Sequence, residues 1–346
     1  MGRIPAGEAF PARIRGVTMV AAAAAIWGSI GVTGKVLFSR GLDAGLVSSA
    51  RVLLAFLMMA SAMLCSRRDL LRIGFRDALL FLCFGVFGTG AYTLLYMLAI
   101  EKTTASLAVV LLYTAPFFAI LVSRVVFGEP LTRAKGVGLL LAAAGVAMCV
   151  GGRTFSLTRA DLHGIACGLG SGLAYGLFGV FGKIGLKRHD YRTVVTYSLG
   201  FAAVFLAAFR PPWAVPAVTR DPRAWAALLY LAAGPTVLSY CLYHVGLQSV
   251  EAGVASIVAT VEVVVALLFG RVLLGERMSP VQLLGAAAVM AAVASVQPGG
   301  SSGRPALQGS VFRQQNSGTA CRRPSDCRAE WSHGSKSRER RGGDHG

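Results

Sequence analysis

Apolar residues dominate the chain in long runs, separated by short turns that hold most of its charge, glycine and proline. Ten such runs fall near residues 17–38, 44–65, 77–100, 103–123, 134–151, 162–184, 193–209, 224–247, 252–270 and 280–297. The plainest reaches from Thr103 to Ser123, 21 residues without an Asp, Glu, Lys or Arg. At about 1.5 Å of rise per residue, a helix of that length crosses a hydrocarbon core of about 30 Å. In lipid the backbone must satisfy its own hydrogen bonds, which favours helices over open strands. The pattern therefore predicts an all-α integral membrane protein with ten transmembrane helices. Little chain is left between the runs, so its function is performed within or just beside the bilayer.

The runs fall into two matching sets. Trp27-Gly28-Ser29-Ile30-Gly31-Val32-Thr33-Gly34-Lys35 aligns with Tyr175-Gly176-Leu177-Phe178-Gly179-Val180-Phe181-Gly182-Lys183 at a constant offset of 148. YMLAIEKTTAS from Tyr96 aligns with YHVGLQSVEAG from Tyr243 at an offset of 147, and FGEPLTRAKGVG from Phe127 aligns with LGERMSPVQLLG from Leu274 at the same offset. Five spans per copy is an odd number, so the second copy enters the membrane from the opposite side, an inverted repeat. Abundant glycine lets helices approach closely in lipid, where no hydrophobic force draws them together. The expected organisation is an N-terminal segment at 1–16, a first five-helix repeat at 17–151, a second at 162–297 and a tail at 298–346.

Composition agrees, with 55% hydrophobic and 14% charged residues and a mean hydropathy of +0.62; a soluble domain carries about 25% charge. The net charge of +18 does not mark a nucleic-acid binder, because the basic residues are spread between apolar runs and along the tail rather than gathered on one face. With the N-terminus inside, cytoplasmic segments hold 23 of the 34 Lys and Arg, which places both termini in the cytoplasm. The tail has few apolar residues and is expected to be disordered and cationic, either solvated or lying on anionic lipid. Seven cysteines imply no disulfide framework. Cys321 and Cys327, with His333 and His345 beyond them, lack a zinc spacing, and no metal or cofactor is expected. Ser279, Pro280 and Gln282 form a capping signature, and Thr132 is the matching cap in the first copy. Glu129 and Glu276, just before these caps, are expected to be structural carboxylates near positive helix ends.

TASLAVVLLYTAPFFAILVSRVVFGEPLT in the first copy and AGVASIVATVEVVVALLFGRVLLGERMS in the second each end a fourth helix in Gly-Glu before a short polar turn. Here the chain resembles the drug/metabolite transporter superfamily, specifically its EamA-type members. The resemblance covers about residues 17–297. It implies two inverted five-helix repeats around a central cavity, and export of small metabolites across the bacterial inner membrane. The family's fourth helix usually carries a Glu-Pro pair; here the first copy has Ala115-Pro116 and the second Glu262-Val263, so each keeps half.

Candidate chemistry is sparse. Glu262 is the one charge between Ala252 and Gly270, too deep to reach the interface. A carboxylate at a helix centre costs about 2.5 to 3.5 kcal/mol on insertion scales. It is expected to face the cavity and to bind a cationic group or carry a proton; the alternative is a protonated carboxyl bonded to a neighbouring helix. Arg51 either snorkels to the headgroups or holds a substrate carboxylate. His244 either joins a proton relay or is simply hydrogen-bonded. Lys35 and Lys183 are expected to snorkel at opposite faces. Tyr92 and Tyr96 share a helix face, as do Tyr240 and His244; with Trp27, Tyr113 and Tyr175 they line an amphipathic cavity, unless Trp27 is an interfacial anchor. Pro116, Pro235, Gly88 and the neighbouring glycines are expected helix breaks or hinges.

The leading expectation is a secondary transporter of small organic metabolites, amino acids or amines among them. Its partners are then a small-molecule substrate and the lipid bilayer, with a homodimer admitted. Multidrug efflux of lipophilic cations stays open, and so does a non-transporting receptor or scaffold. No Walker-type motif is present, and the spans lack the clustered groups an enzyme needs.

Overall fold

Every described element of the computed structural model is helical, over residues 6–103, 105–150, 159–274 and 279–296. Glu276, the four tail residues singled out above and the expected tail lie outside the described residues. In chain order the helices are α1 (Ala6–Trp27), α2 (Ile30–Phe38), α3 (Ala44–Ser66), α4 (Phe75–Cys83), α5 (Ala91–Lys102), α6 (Ala105–Leu112), α7 (Ala115–Phe127) and α8 (Arg133–Val150). There follow α9 (Arg159–Leu186), α10 (Tyr191–Phe209), the short α11 (Val215–Val218), α12 (Pro222–Leu231), α13 (Ser239–Leu247), α14 (Ala252–Ala259), α15 (Val261–Leu274) and α16 (Pro280–Ser295).

Several helices join end to end into longer rods. Among the described residues, seven rods are long and apolar enough to cross a bilayer: Pro11–Phe38, Ala44–Ser66, Phe75–Lys102, Ala108–Phe127, Leu162–Leu186, Tyr191–Phe209 and Pro222–Leu247. The expected spans at 134–151, 252–270 and 280–297 correspond to α8, to α14 with α15, and to α16. Arg133 and Lys135 occupy the first turn of α8, α15 restarts after a break at Thr260, and α16 is only 16 residues long. The first helix begins at Ala6, upstream of the expected residue 17.

Caps set many of the starts. Asp43 accepts from the Leu46 amide at 2.9 Å, and Thr132 from that of Lys135 at 3.2 Å. Ser279 and Gln282 form the full capping box, so two orphan donors are satisfied reciprocally. Gly128 ends α7 in the left-handed region at φ 66°.

Two rods are interrupted at matching places by a turn of π-helix, Phe84–Gly90 and Ala232–Leu238. Gly88 sits in the first and Pro235 in the second. Pro235 has no amide proton to give; Thr236 Oγ1 donates to the Leu231 carbonyl at 2.7 Å and Ser239 Oγ to that of Gly234 at 3.1 Å, which satisfies carbonyls in the widened turn.

The first rod of each copy packs on the third and fourth rods of the other: α1 lies on α13, α14 and α15, and α9 on α5, α6 and α7. Small residues make these contacts close. A Cβ on Gly28 would stand 3.1 Å from the Glu262 carbonyl and the Ala266 amide, and one on Gly176 would stand 3.1 Å from the Ala115 carbonyl and 3.0 Å from the Ala119 amide. These neighbours are themselves 147 residues apart, so the sequence repeat recurs as a repeated packing contact.

Candidate functional site

Glu262 lies in the first turn of α15, immediately after the chain breaks at Thr260. There Thr260 Oγ1 donates to the Ile257 carbonyl at 2.7 Å and the Val263 amide to the Thr260 carbonyl at 3.1 Å. The sequence alone placed this carboxylate in mid-helix; the structure gives it the positive end of a half-helix, which favours negative charge. The corresponding break in the first copy is at Tyr113 and Thr114, and Pro116 follows it in the first turn of α7.

Across the two breaks, Tyr113 OH lies 2.7 Å from Glu262 Oε2 and 3.0 Å from the Ala259 carbonyl. A phenol has one proton and can also accept. When Glu262 is ionised, Tyr113 donates to it. When Glu262 is protonated, the carboxyl donates to the phenol oxygen and the phenol turns its proton to Ala259. The pair thus accommodates both protonation states without moving a backbone.

Arg51 is 1% exposed, so it does not snorkel. No carboxylate among the described residues lies within 4.0 Å of it, and its Nε has no hydrogen-bond partner. It stands within electrostatic reach of Glu262, Tyr92, Tyr96 and Tyr240. The Tyr240 hydroxyl lies beside Thr93 and Arg51 yet forms no bond of acceptable geometry. Thr93 Oγ1 and Tyr175 OH are buried and unpartnered too. Each such atom forgoes about 1 to 3 kcal/mol relative to a bonded one. Three such hydroxyls around one buried cation and one buried carboxylate make a place for a polar guest.

Aromatic rings wall this region. Tyr92 stacks on Tyr175 at 4.9 Å and on Tyr96 at 6.2 Å between centroids. Phe178 meets Tyr240 at 4.8 Å and Tyr243 at 5.4 Å. Trp27 is fully buried, not interfacial; its Nε1 donates to the Pro235 carbonyl at 2.9 Å, and its ring lies 5.7 Å from that of Tyr175. The structure therefore gathers Glu262, Arg51, Tyr92, Tyr96, Tyr113, Tyr175, Tyr240 and Trp27. Gly88 abuts this wall: a Cβ there would stand 3.3 Å from the Phe178 Cα.

His244 stands apart. Its Nδ1 bonds the Tyr240 carbonyl at 2.7 Å, its Nε2 is buried without a partner, and Phe84, Phe178 and Tyr243 surround it. Sequence reasoning missed Thr93, Phe178 and Tyr243. At an offset of 147 Tyr243 is the repeat counterpart of Tyr96 and Thr93 that of Tyr240, and Phe178 lies three residues beyond Tyr175, so all three were findable. Lys183 does not snorkel as expected: its Nζ donates to the Val250 carbonyl at 2.6 Å and lies 3.8 Å from Glu129.

The EamA-like transporter family matches residues 14–151 and again residues 162–296. An uncharacterised transporter of Bacillus subtilis, YetK, is 25% identical over 79% of this chain and 84% of its own length. An uncharacterised inner membrane transporter of Salmonella typhimurium, YicL, is 25% identical over 81% and 94%. A probable terminal-alkyne amino-acid exporter of Streptantibioticus cattleyicolor is 28% identical over 63% and 72%. A solved crystal structure superposes with a TM-score of 0.68 at 18% identity, covering 81% of this chain and 95% of the other, which is a likeness of fold.

Proposed function

Because the chain belongs to the EamA-like transporter family and crosses the membrane several times, we propose that it exports small zwitterionic metabolites of the amino-acid type, in exchange for protons carried by Glu262. In this reading ten helices form two inverted repeats in the bacterial inner membrane, with both termini in the cytoplasm. The observation that carries it is the pairing at a distance of Arg51 and Glu262. Both are buried, each is within reach of the other's charge, and they do not form an ion pair.

Two opposite charges in low dielectric would normally collapse together, since their attraction there far exceeds that in water. Held apart among unpartnered hydroxyls, they match a guest that carries a carboxylate and an ammonium on one small frame. Arg51 would take the carboxylate, with Thr93 and Tyr240 beside it, and Glu262 the ammonium. The rings add cation–π attraction for the ammonium. Competition between a proton and the ammonium for Glu262 supplies the coupling: protonation releases the guest, and loss of the proton readmits one. The relative named as an amino-acid exporter supports this class. A lipophilic cation suits Glu262 and the rings, but it would leave Arg51 buried without a counter-charge.

The test is transport in liposomes loaded with a pH-sensitive dye, using a neutral amino acid, its decarboxylated amine and its deaminated acid. Only the amino acid should move with protons, and Arg51→Gln should abolish that movement. Equal transport of the amine, indifferent to Arg51→Gln, would instead support lipophilic-cation efflux.

A further inference from the structure

At the end of the bundle that the charge bias assigns to the cytoplasm, four ionised side chains interlock. Lys135 Nζ lies 2.6 Å from Glu251 and 3.5 Å from Glu129, and donates to the Pro130 carbonyl at 3.1 Å. Lys183 Nζ reaches Glu129 at 3.8 Å and the Val250 carbonyl at 2.6 Å. Side-chain exposure is only 6% for Lys135 and 9% for Glu129. Glu129 follows α7, Lys183 ends α9, and Glu251 caps α14, which leads through Ser256 to Glu262. Tyr175 lies on α9, Tyr113 at the break before α7, and Glu262 just past the break after α14. The network thus closes the seam between these helices, and at Gly253 a Cβ would come within 3.8 Å of Glu129 Oε2.

The repeat shows what is special here. Lys183 corresponds to Lys35 and Lys135 to Gln282. Lys35 is exposed and makes no ion pair with a described residue, and Gln282 carries no charge. Smaller, half-buried clasps occur at both ends: Arg40 with Asp221 at one, Arg188 and His189 with Asp77 at the other. Only the Lys183 end has, among the described residues, a network of four charged groups with two of them, Lys135 and Glu129, buried.

We propose that Glu129, Lys135, Lys183 and Glu251 form the gate of the transport cycle at this end, shut in this structure and opened when α7 parts from α9 and α14. Buried charges are a suitable material for such a gate. Their mutual attraction is largely offset by the water they give up, so closure is specific in geometry while opening, which rehydrates them, stays within thermal reach. An uncharged Gln282 where the other copy has Lys135 makes the two ends unequal, biasing the resting protein toward closure at the Lys183 end.

The first arm of the test needs no substrate, so it stands or falls separately from the identity of the cargo. In full-length protein with all seven cysteines replaced by serine, Ser256→Cys places a thiol at a buried position on α14. Its reaction with a charged, membrane-impermeant thiol reagent is timed from each side of sealed vesicles. Glu129→Gln with Lys183→Met should speed reaction from the Lys183 end by about tenfold, as expected for a population shifted toward the open state. An unchanged rate would overturn the proposal. A second arm joins Glu129→Cys and Gly253→Cys with a short reducible bis-thiol reagent. Bridging should arrest transport and reduction restore it; transport at the unbridged rate would show that the helices do not separate there.

Discussion

Tyr113 and Glu262 meet at 2.7 Å across the two copies of the repeat, each beside a break in its own fourth rod. The contact gives Glu262 one partner suited to both of its protonation states, through the alternative acceptor at Ala259. Tyr113→Phe should therefore lower transport about tenfold, less than the 10²–10⁴-fold typical of groups that themselves transfer the proton. It should also move the pH at which transport is half-maximal. A fall that is uniform at every pH would reduce the tyrosine to packing.

His244 makes the opposite expectation. Among the described residues its one bond is to the Tyr240 carbonyl and its Nε2 has no partner, so no titratable group is placed to exchange a proton with it. His244→Phe keeps the ring contacts with Phe84, Phe178 and Tyr243. Transport and its proton stoichiometry should stay within about twofold of the parent, because the substitution keeps the ring packing and removes no proton-transfer partner. Abolished proton movement would return His244 to the pathway.

Glycines at two places should fail differently. Gly41 has φ 84° and open space around it, so Gly41→Ala should cost about 1 kcal/mol of stability through backbone strain and leave transport intact. Gly28 bears directly on the backbone of Glu262 and Ala266. Gly28→Leu must push α15 away and should abolish transport even in protein that still folds. Thermal melts and transport rates of both variants separate the two effects.

A pH effect is expected at the edge of α3. Partial burial raises the Asp43 carboxyl, but the Arg210 hydrogen bond, the Leu46 amide and the Arg210 charge outweigh it and hold the group below its ordinary 3.8. A carboxyl lowered on folding stabilises the protein above that ordinary value and ceases to do so as pH falls through the folded one. The pair is more than one-third exposed, 56% at Arg210 and 34% at Asp43, so screening keeps its contribution small. Asp43→Asn keeps a capping side chain, and its melting-temperature deficit at neutral pH should shrink as pH falls below 3.8.

How much of this was readable beforehand depends on which physical quantity the sequence encodes. Depth in the membrane and repeat register are linear properties, and Gly28 and Gly176 were legible as equivalent. Which face of a helix a residue occupies is not linear. Arg51, Lys183 and Trp27 sit at depths compatible with snorkelling or interfacial anchoring, and only packing shows them turned inward. The break at Thr260 was hidden for another reason: SIVATVEVVV contains neither glycine nor proline, so nothing local distinguishes two half-helices from one. The π-turns had the signals Gly88 and Pro235, which announce a break without specifying its form.

The most direct measurement is proton movement driven by a neutral amino acid in liposomes holding either the parent protein or Glu262→Gln. The expected result is coupled movement of amino acid and protons in the parent and neither in the variant. An amino acid that crosses at the parent's rate in Glu262→Gln, with or without protons, would contradict the role assigned to this carboxylate.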